Sequence, residues 1–188
     1  MRADAQRNID AVREAATAVF ATAGVDAPMR DIAAAAGVGV GTVYRHFPKR
    51  SDLVKAVFRH EVDACADAAP ALTAEYGPAE ALTRWLHRYA GFIGTKRGLA
   101  AALHSGDPAF DALPGYFEQR FRPALSTLLD AAAAAGEIRA DVDAMDLLHG
   151  VATLCLPSDA SGLTERMIDL VVDGLRFRAG STTPSGVS

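Results

Sequence analysis

The stretch AAAAGVGVGTVYRHF, residues 33 to 47, sets glycines at alternate positions, Gly37, Gly39 and Gly41, and this spacing restricts the fold more than any other feature of the chain. A dinucleotide-binding Gly-x-Gly-x-x-Gly turn needs a strand before it and a third glycine where this chain has Thr42. What precedes Gly37 is MRDIAAAA, alanine-rich, with Ile32 as its bulky apolar residue after Met29, and that is a helix pattern. The segment reads as helix, tight turn, helix. Gly37 ends the first helix, because glycine enters the left-handed region at little steric cost. The pattern restarts as VGTVYRHF, where Val43 and Phe47 face inward and Thr42, Tyr44, Arg45 and His46 are left largely outward.

The neighbouring segments extend this helical reading. Ile9, Val12, Ala16, Val19, Phe20 and Ala23 recur at helical spacing between Ala5 and Ala23, and Gly24 supplies a C-terminal stop. Pro28 suits the first turn of the second helix, whose Ile32, Ala33 and Ala36 face inward. After Pro48 a longer fourth helix begins in KRSDLVKAVFRHEVDACADAA, with Leu53, Val57, Phe58, Val62 and Cys65 on one side. A fifth helix is expected from Pro78 to Thr95, and a short sixth around Leu99 to Leu103. The seventh is expected in YFEQRFRPALSTLLDAAAAAGEI, bent by Pro123 and stopped by Gly136. Asp143 starts the eighth helix, AMDLLHGVATLCL, which Pro157 closes, and the ninth is GLTERMIDLVVDGLRFRA. The expected fold is all-α with about nine helices. Residues 1–48 form a three-helix head, 49–178 a helical body and 179–188 a small, polar, disordered tail.

Half of the 188 residues are hydrophobic, so a sizeable core is available, and the scarcity of alternating β-branched runs argues against a sheet. The chain has neither an apolar run long enough for a membrane span nor a basic-then-apolar leader, so the expected address is the cytoplasm and no membrane partner is expected. Cys65 and Cys155 fit no metal-ligand spacing and read as buried, reduced thiols. The net charge of −4 conceals an asymmetry: residues 1 to 60 carry nine Lys or Arg against six Asp or Glu, and the remainder ten against seventeen. A mildly basic head on an acidic body suits a polyanion-binding module joined to a module with a different task.

Chemistry then separates positioning from reading groups. In a helix-turn-helix the second helix enters the major groove of duplex DNA. Thr42 and Tyr44 offer hydroxyls to phosphate oxygens, and Arg50, at the start of the fourth helix, is placed as a phosphate clamp. Arg45 or Arg30 can form a bidentate pair with guanine, and His46 can read a base edge or meet phosphate. Gly41 lets the DNA backbone come close, and Arg2 and Arg7 add possible phosphate or minor-groove contacts.

The segment MRDIAAAAGVGVGTVYRHFPKRSDLV resembles the DNA-binding segment of the TetR (tetracycline repressor-like) family. Arg30-Asp31-Ile32-Ala33, Ala36-Gly37-Val38, Gly41 to Phe47 and the FPKRSDL opening of the fourth helix carry the likeness, over about 45 residues with the first helix included. The resemblance implies an all-helical homodimeric regulator, usually a repressor, which binds a palindromic operator on the nucleoid and whose second domain takes a small-molecule effector. Three positions depart from the pattern. Gly39 stands where the family usually has a Ser or Thr cap, Val40 where a polar residue is often found, and Pro28 where Thr or Ser is common, so base preference rests more on arginines and DNA shape.

The body supports two further expectations. The eighth helix carries Met145, Leu148 and Cys155 on one side and Leu147, Val151 and Leu154 around the other, and with the ninth it is expected to meet both the core and a second subunit. Trp85, Tyr89, Phe92, Phe110, Tyr116, Phe117 and Phe121, with His104 and the chain breaks around it, suggest a cavity for a hydrophobic or amphipathic ligand, with Trp85, Tyr89, Phe92, His104, Phe117 and Phe121 as its expected contacts. No cofactor, metal or catalytic residue is required. The rival readings are a small helical enzyme built on His104, Ser105 and Asp107, and a metal-responsive regulator using His60, Glu61 and Cys65. Against the first, there is no strand-borne nucleophile turn; against the second, His60 and Cys65 are poorly aligned on one helix face.

Overall fold

Left-handed glycines punctuate the chain. Gly24, Gly37 and Gly136 have φ of 75°, 67° and 73°, and each follows a helix that the apolar periodicity leads up to. The computed structural model describes residues 2–155 and 162–177, with side chains described from Gln6 onward. The expected contact from Arg2, the closure by Pro157 and the tail 179–188 lie outside the described residues or side chains.

Among the described residues there are ten α-helices, one 3-10 turn and no strand. They are α1 (Arg2–Ala23), α2 (Met29–Ala35), α3 (Val40–His46), α4 (Arg50–Ala66), α5 (Ala68–Glu75), α6 (Pro78–Gly98), α7 (Ala100–Leu103), α8 (Leu113–Ala134), α9 (Ala144–Leu154) and α10 (Leu163–Arg176), with the turn at Pro108–Phe110. The all-helical expectation holds, with one element more than the periodicity suggests. Pro70 has no N–H to give to the Ala66 carbonyl, and α4 stops there; the chain turns at Asp67 into α5, which carries this proline in its first turn. Pro28 is also one step earlier than expected, at the N-cap of α2 with ψ 137°, where it donates no cap. α8 runs on through Pro123 without ending.

The head is a small core built from three directions. Val12, Ala16 and Phe20 of α1, Ile32 and Ala33 of α2, and Val43 and Phe47 at α3 are all buried, whereas Ala23, at the end of the expected stripe, is exposed. α4 leaves this head and packs against α1, α6 and α8. Its hold on α8 is polar as well as apolar: Arg120 donates to Asp63 at 2.7 Å and to Asp67 at 2.6 Å, and the Tyr116 hydroxyl donates to Asp63 at 2.6 Å.

α6 is the central helix of the body. Trp85 stacks on Tyr89, both meet Phe121 edge-on, and the Trp85 indole N–H donates to the Cys65 carbonyl at 2.9 Å. The far end of α6 touches the head: a Cβ on Gly98 would stand 2.6 Å from the Phe20 carbonyl oxygen of α1, so only glycine allows this approach. Asp143 caps α9 by accepting from the Met145 and Asp146 N–H groups, as its position suggests.

Candidate nucleic-acid interface and effector cavity

α3 lies with Val43 turned into the core and its opposite side in solvent. Val40, Gly41, Tyr44 and Arg45 are exposed at helical spacing, with Tyr44 at 51%, and Thr42 and His46 flank them half-buried. Arg30 of α2 is exposed as well, its side chain at 81% and only loosely held by Asp31 at 3.3 Å. Among the described residues no hydrogen bond or ion pair holds Tyr44, Arg45 or His46. Gly39 is the N-cap of α3 and supplies no side-chain oxygen, so the N–H groups of the first turn lack a side-chain cap. Gly41 has open space where a Cβ would sit, so nothing in the fold requires a glycine there.

Arg50 stands at the start of α4, as expected, and part of its guanidinium is already engaged. Its Nη1 donates to the carbonyl oxygens of Val25 and Ala27, the latter at 2.6 Å, which ties the start of α4 to the loop between α1 and α2. Those two carbonyls lie beyond the C-terminal stop of α1, where backbone acceptors need partners. One side of the guanidinium is thus spent inside the head.

In the body, a cavity of about 420 Å³ is enclosed by α4, α6, α8 and α9 with the segment around the 3-10 turn. Of the residues expected there, Tyr89, His104 and Phe117 line it. Trp85, Phe92 and Phe121 do not: they are 5% exposed or less and fill the core behind it. Phe58 on α4, Lys96 on α6 and Met145 and His149 on α9 complete the wall and were not foreseen, because each comes from a helix face that only the packing brings round. Lys96 carries a weak signal in the sequence, since it continues the helical spacing of Trp85, Tyr89 and Phe92 one turn further along α6.

The rival constellations dissolve into local structure. His104 Nδ1 donates to the Ala100 carbonyl, the Ser105 hydroxyl to the Ala102 carbonyl, and Asp107 accepts from the Ala109 N–H, so the three build a turn and do not face one another as a relay. Glu61 accepts from Thr17, and burial pushes the Cys65 thiol up to about 12. Among the described residues no three such side chains gather to hold a metal ion. Nor is any described helix long and apolar enough to cross a membrane.

Comparison with known proteins places this arrangement. A family described as bacterial regulatory proteins, tetR family, matches residues 12–57, and one described as transcriptional regulator SbtR-like, C-terminal domain, matches residues 77–177. The chain belongs to the TetR family. Its fold is similar to the crystal structure of the TetR transcriptional regulator SCO0520 from Streptomyces coelicolor, with TM-score 0.78, 43% identity, and 91% of this chain and 99% of that one covered. It is similar too to the TetR transcription regulatory protein from Mycobacterium vanbaalenii, with TM-score 0.76, 40% identity, and 94% and 99% covered. Among curated proteins, the HTH-type transcriptional repressor Rv3405c of Mycobacterium tuberculosis is 38% identical over 122 residues, 64% of this chain and 56% of that protein. The repressor LfrR of Mycolicibacterium smegmatis is 45% identical over 58 residues, 31% of each chain. The TetR-family chain thus spans about half, or less, of the length of these curated relatives. In family terms, α2 and α3 are the helix-turn-helix and α6 to α10 lie within the C-terminal region.

Proposed function

We propose that this chain is a transcriptional repressor that binds a palindromic operator as a homodimer and responds to a small apolar or amphipathic effector in the body. The observation that carries the reading is the outer face of α3. Tyr44 and Arg45 stand exposed on a short helix seated by Val43, Arg30 is exposed on α2, and the outward side chains do no work for the fold. Thr42 and Tyr44 serve phosphate oxygens, Arg45 and Arg30 read guanine edges, His46 adds an edge or phosphate contact, and Gly41 admits the DNA backbone. Arg50 shapes the head from behind and keeps only its remaining N–H groups for phosphate. The head is taken as residues 1–48 and the body as 49–178, in the cytoplasm. Repression rather than activation is favoured by relatives whose names state it.

Dimerisation is assigned to α9 and α10. α9 buries Met145, Leu147, Leu148 and Val151 within its own protomer and leaves Gly150 and Leu154 outward, so its second apolar face is narrower than the sequence suggests. α10 has the wider one: Leu170 at 64% and Phe177 at 68% exposure share an outer side with Gly174, opposite the buried Ile168, Val172 and Leu175. Two such faces related by a two-fold axis cover each other.

The switch follows from Phe58, which belongs to α4 yet lines the cavity. An effector pressing on it bears directly on the helix that carries the head. Half-sites in successive major grooves lie about 34 Å apart, so a small tilt of α4 in both protomers prevents simultaneous docking. A hundredfold change in operator affinity requires about 2.7 kcal/mol of coupling between the two sites.

Electrophoretic retardation of DNA from the protein's own promoter tests the core of this reading. A specific complex is expected whose affinity falls steeply with salt as counterions leave the phosphates. Tyr44→Ala should weaken binding on all sequences alike, and Arg45→Ala should also relax base preference. Equal affinity for the promoter and for random duplex would refute the assignment.

A further inference from the structure

The wall of the cavity is unequal in charge. It is lined mainly by Phe58, Tyr89, Ile93, Phe110, Phe117 and Met145, and its charged side chains are Lys96 and Glu118, with His104 and His149 at the exposed edge. Glu118 is already paired: its Oε1 accepts from Arg122 Nε at 3.2 Å and Nη2 at 2.9 Å, and Arg122, which also reaches Asp143 at 3.6 Å, is not part of the wall. Lys96 has no such partner among the described residues. Among the described residues no carboxylate lies within ion-pair distance, and its ammonium rests only against the Phe117 ring at 5.8 Å. Its half-buried position holds its pKa below the ordinary lysine value, with burial as the sole cause. Leu113 and Pro114, the opening residues of α8, also line the cavity and bring the positive end of that helix to it.

We propose that the cavity takes an amphipathic monoanion, an apolar body ending in one carboxylate, with the Lys96 ammonium as its counter-charge and the His104 imidazole as a second polar contact. This rests on the cavity being the effector site, and it names the effector's chemical class. An ammonium left among aromatic rings is poorly solvated; a carboxylate restores its charge compensation while the tail covers the rings. A phosphate is a poorer fit, because no arginine fork lines the wall and a single ammonium offsets only one charge. With Nδ1 donating to Ala100, His104 has Nε2 as its remaining polar atom, which donates to a carboxylate when the ring is protonated. The larger depression between α5 and α8, about 570 Å³, offers nothing comparable: its charged residues, Asp67 and Arg120, are paired with each other at 2.6 Å.

Three probes with one tail and different heads test this: decanoate, decan-1-ol and decylamine, measured by calorimetry and thermal shift on the full chain. Decanoate should bind about tenfold or more tightly than decan-1-ol, as a charge-assisted contact added to a shared apolar term requires, and decylamine more weakly than either. Lys96→Met should erase the advantage of decanoate and leave decan-1-ol unchanged, while Lys96→Arg keeps it. The decan-1-ol affinity serves as the check that each variant retains its cavity. Equal binding of decanoate and decan-1-ol to the natural chain, or an advantage that survives Lys96→Met, would overturn the carboxylate assignment and leave the effector cavity standing. If none of the three binds, the cavity is not a site for lipophiles, and both readings fall together.

Discussion

Tyr44 on α3 and Trp85 on α6 are both large aromatic residues on helices, and the protein treats them in opposite ways. Tyr44 is 51% exposed, and its hydroxyl makes no hydrogen bond among the described residues. Trp85 is 0% exposed, lies between Tyr89 and Phe121, and gives its N–H to Cys65. The first side chain contributes nothing visible to the fold, so its presence asks for a partner outside it. The second is fully accounted for by the fold, and no ligand is needed to explain it. The head thus displays its functional groups on a surface, whereas the body surrounds a cavity with residues that differ little from core.

The sharpest way to break this contrast is a pair of alanine substitutions. Trp85→Ala should cost about 3 to 5 kcal/mol in urea unfolding, by loss of apolar burial and the cavity left behind. Tyr44→Ala should change stability by no more than about 0.5 kcal/mol while reducing operator affinity. A marked loss of stability in the Tyr44 variant would mean that α3 depends on its outer face, and the division between display and core would fail.

A smaller effect separates two uses of one arginine. If Arg50 mainly ties the loop of Val25 and Ala27 to α4, Arg50→Ala should lower stability by about 1 to 2 kcal/mol, since two carbonyls lose a charged donor. Operator binding should then weaken, but the slope of affinity against salt should stay nearly that of the natural protein. A slope reduced by about one unit, with stability unchanged, would return Arg50 to the phosphate contacts.

The same contrast explains what could be read from the sequence. The helix-turn-helix was legible because its determinants are local: Gly37 marks the turn, Val43 and Phe47 fix the inward side of α3, and the outward residues follow by periodicity. The cavity was legible only in part, because an aromatic on α6 gives no sign of whether it meets Phe121 or empty space. Tyr89 and Phe117 line the wall, but Trp85, Phe92 and Phe121 stand behind it. Lys96 and Phe58 were missed for the same reason, since they reach the cavity through the mutual packing of α4, α6 and α8. α5 was overlooked although Pro70 sits where a proline favours a helix start, because the alanines before it read as a continuation of α4. The second task of Arg50 was not legible, because a long side chain at a helix start can reach either outward to phosphate or back to the carbonyls of an earlier loop.

The finest test of the displayed surface is Gly41. In a seven-residue helix it costs stability relative to alanine, and the open space around it means that a methyl group meets nothing in the protein. Gly41→Ala should therefore raise stability by about 0.5 to 1 kcal/mol, seen as a higher urea midpoint at unchanged slope. Its residence at a stability cost makes sense if the DNA backbone approaches α3 closely at this point, and the same substitution should then weaken operator binding several-fold by holding the phosphate chain away. Gains in both stability and DNA affinity would show that the glycine leaves no room for DNA, and the docking contact would have to be sought along the Tyr44 and Arg45 side of the helix instead.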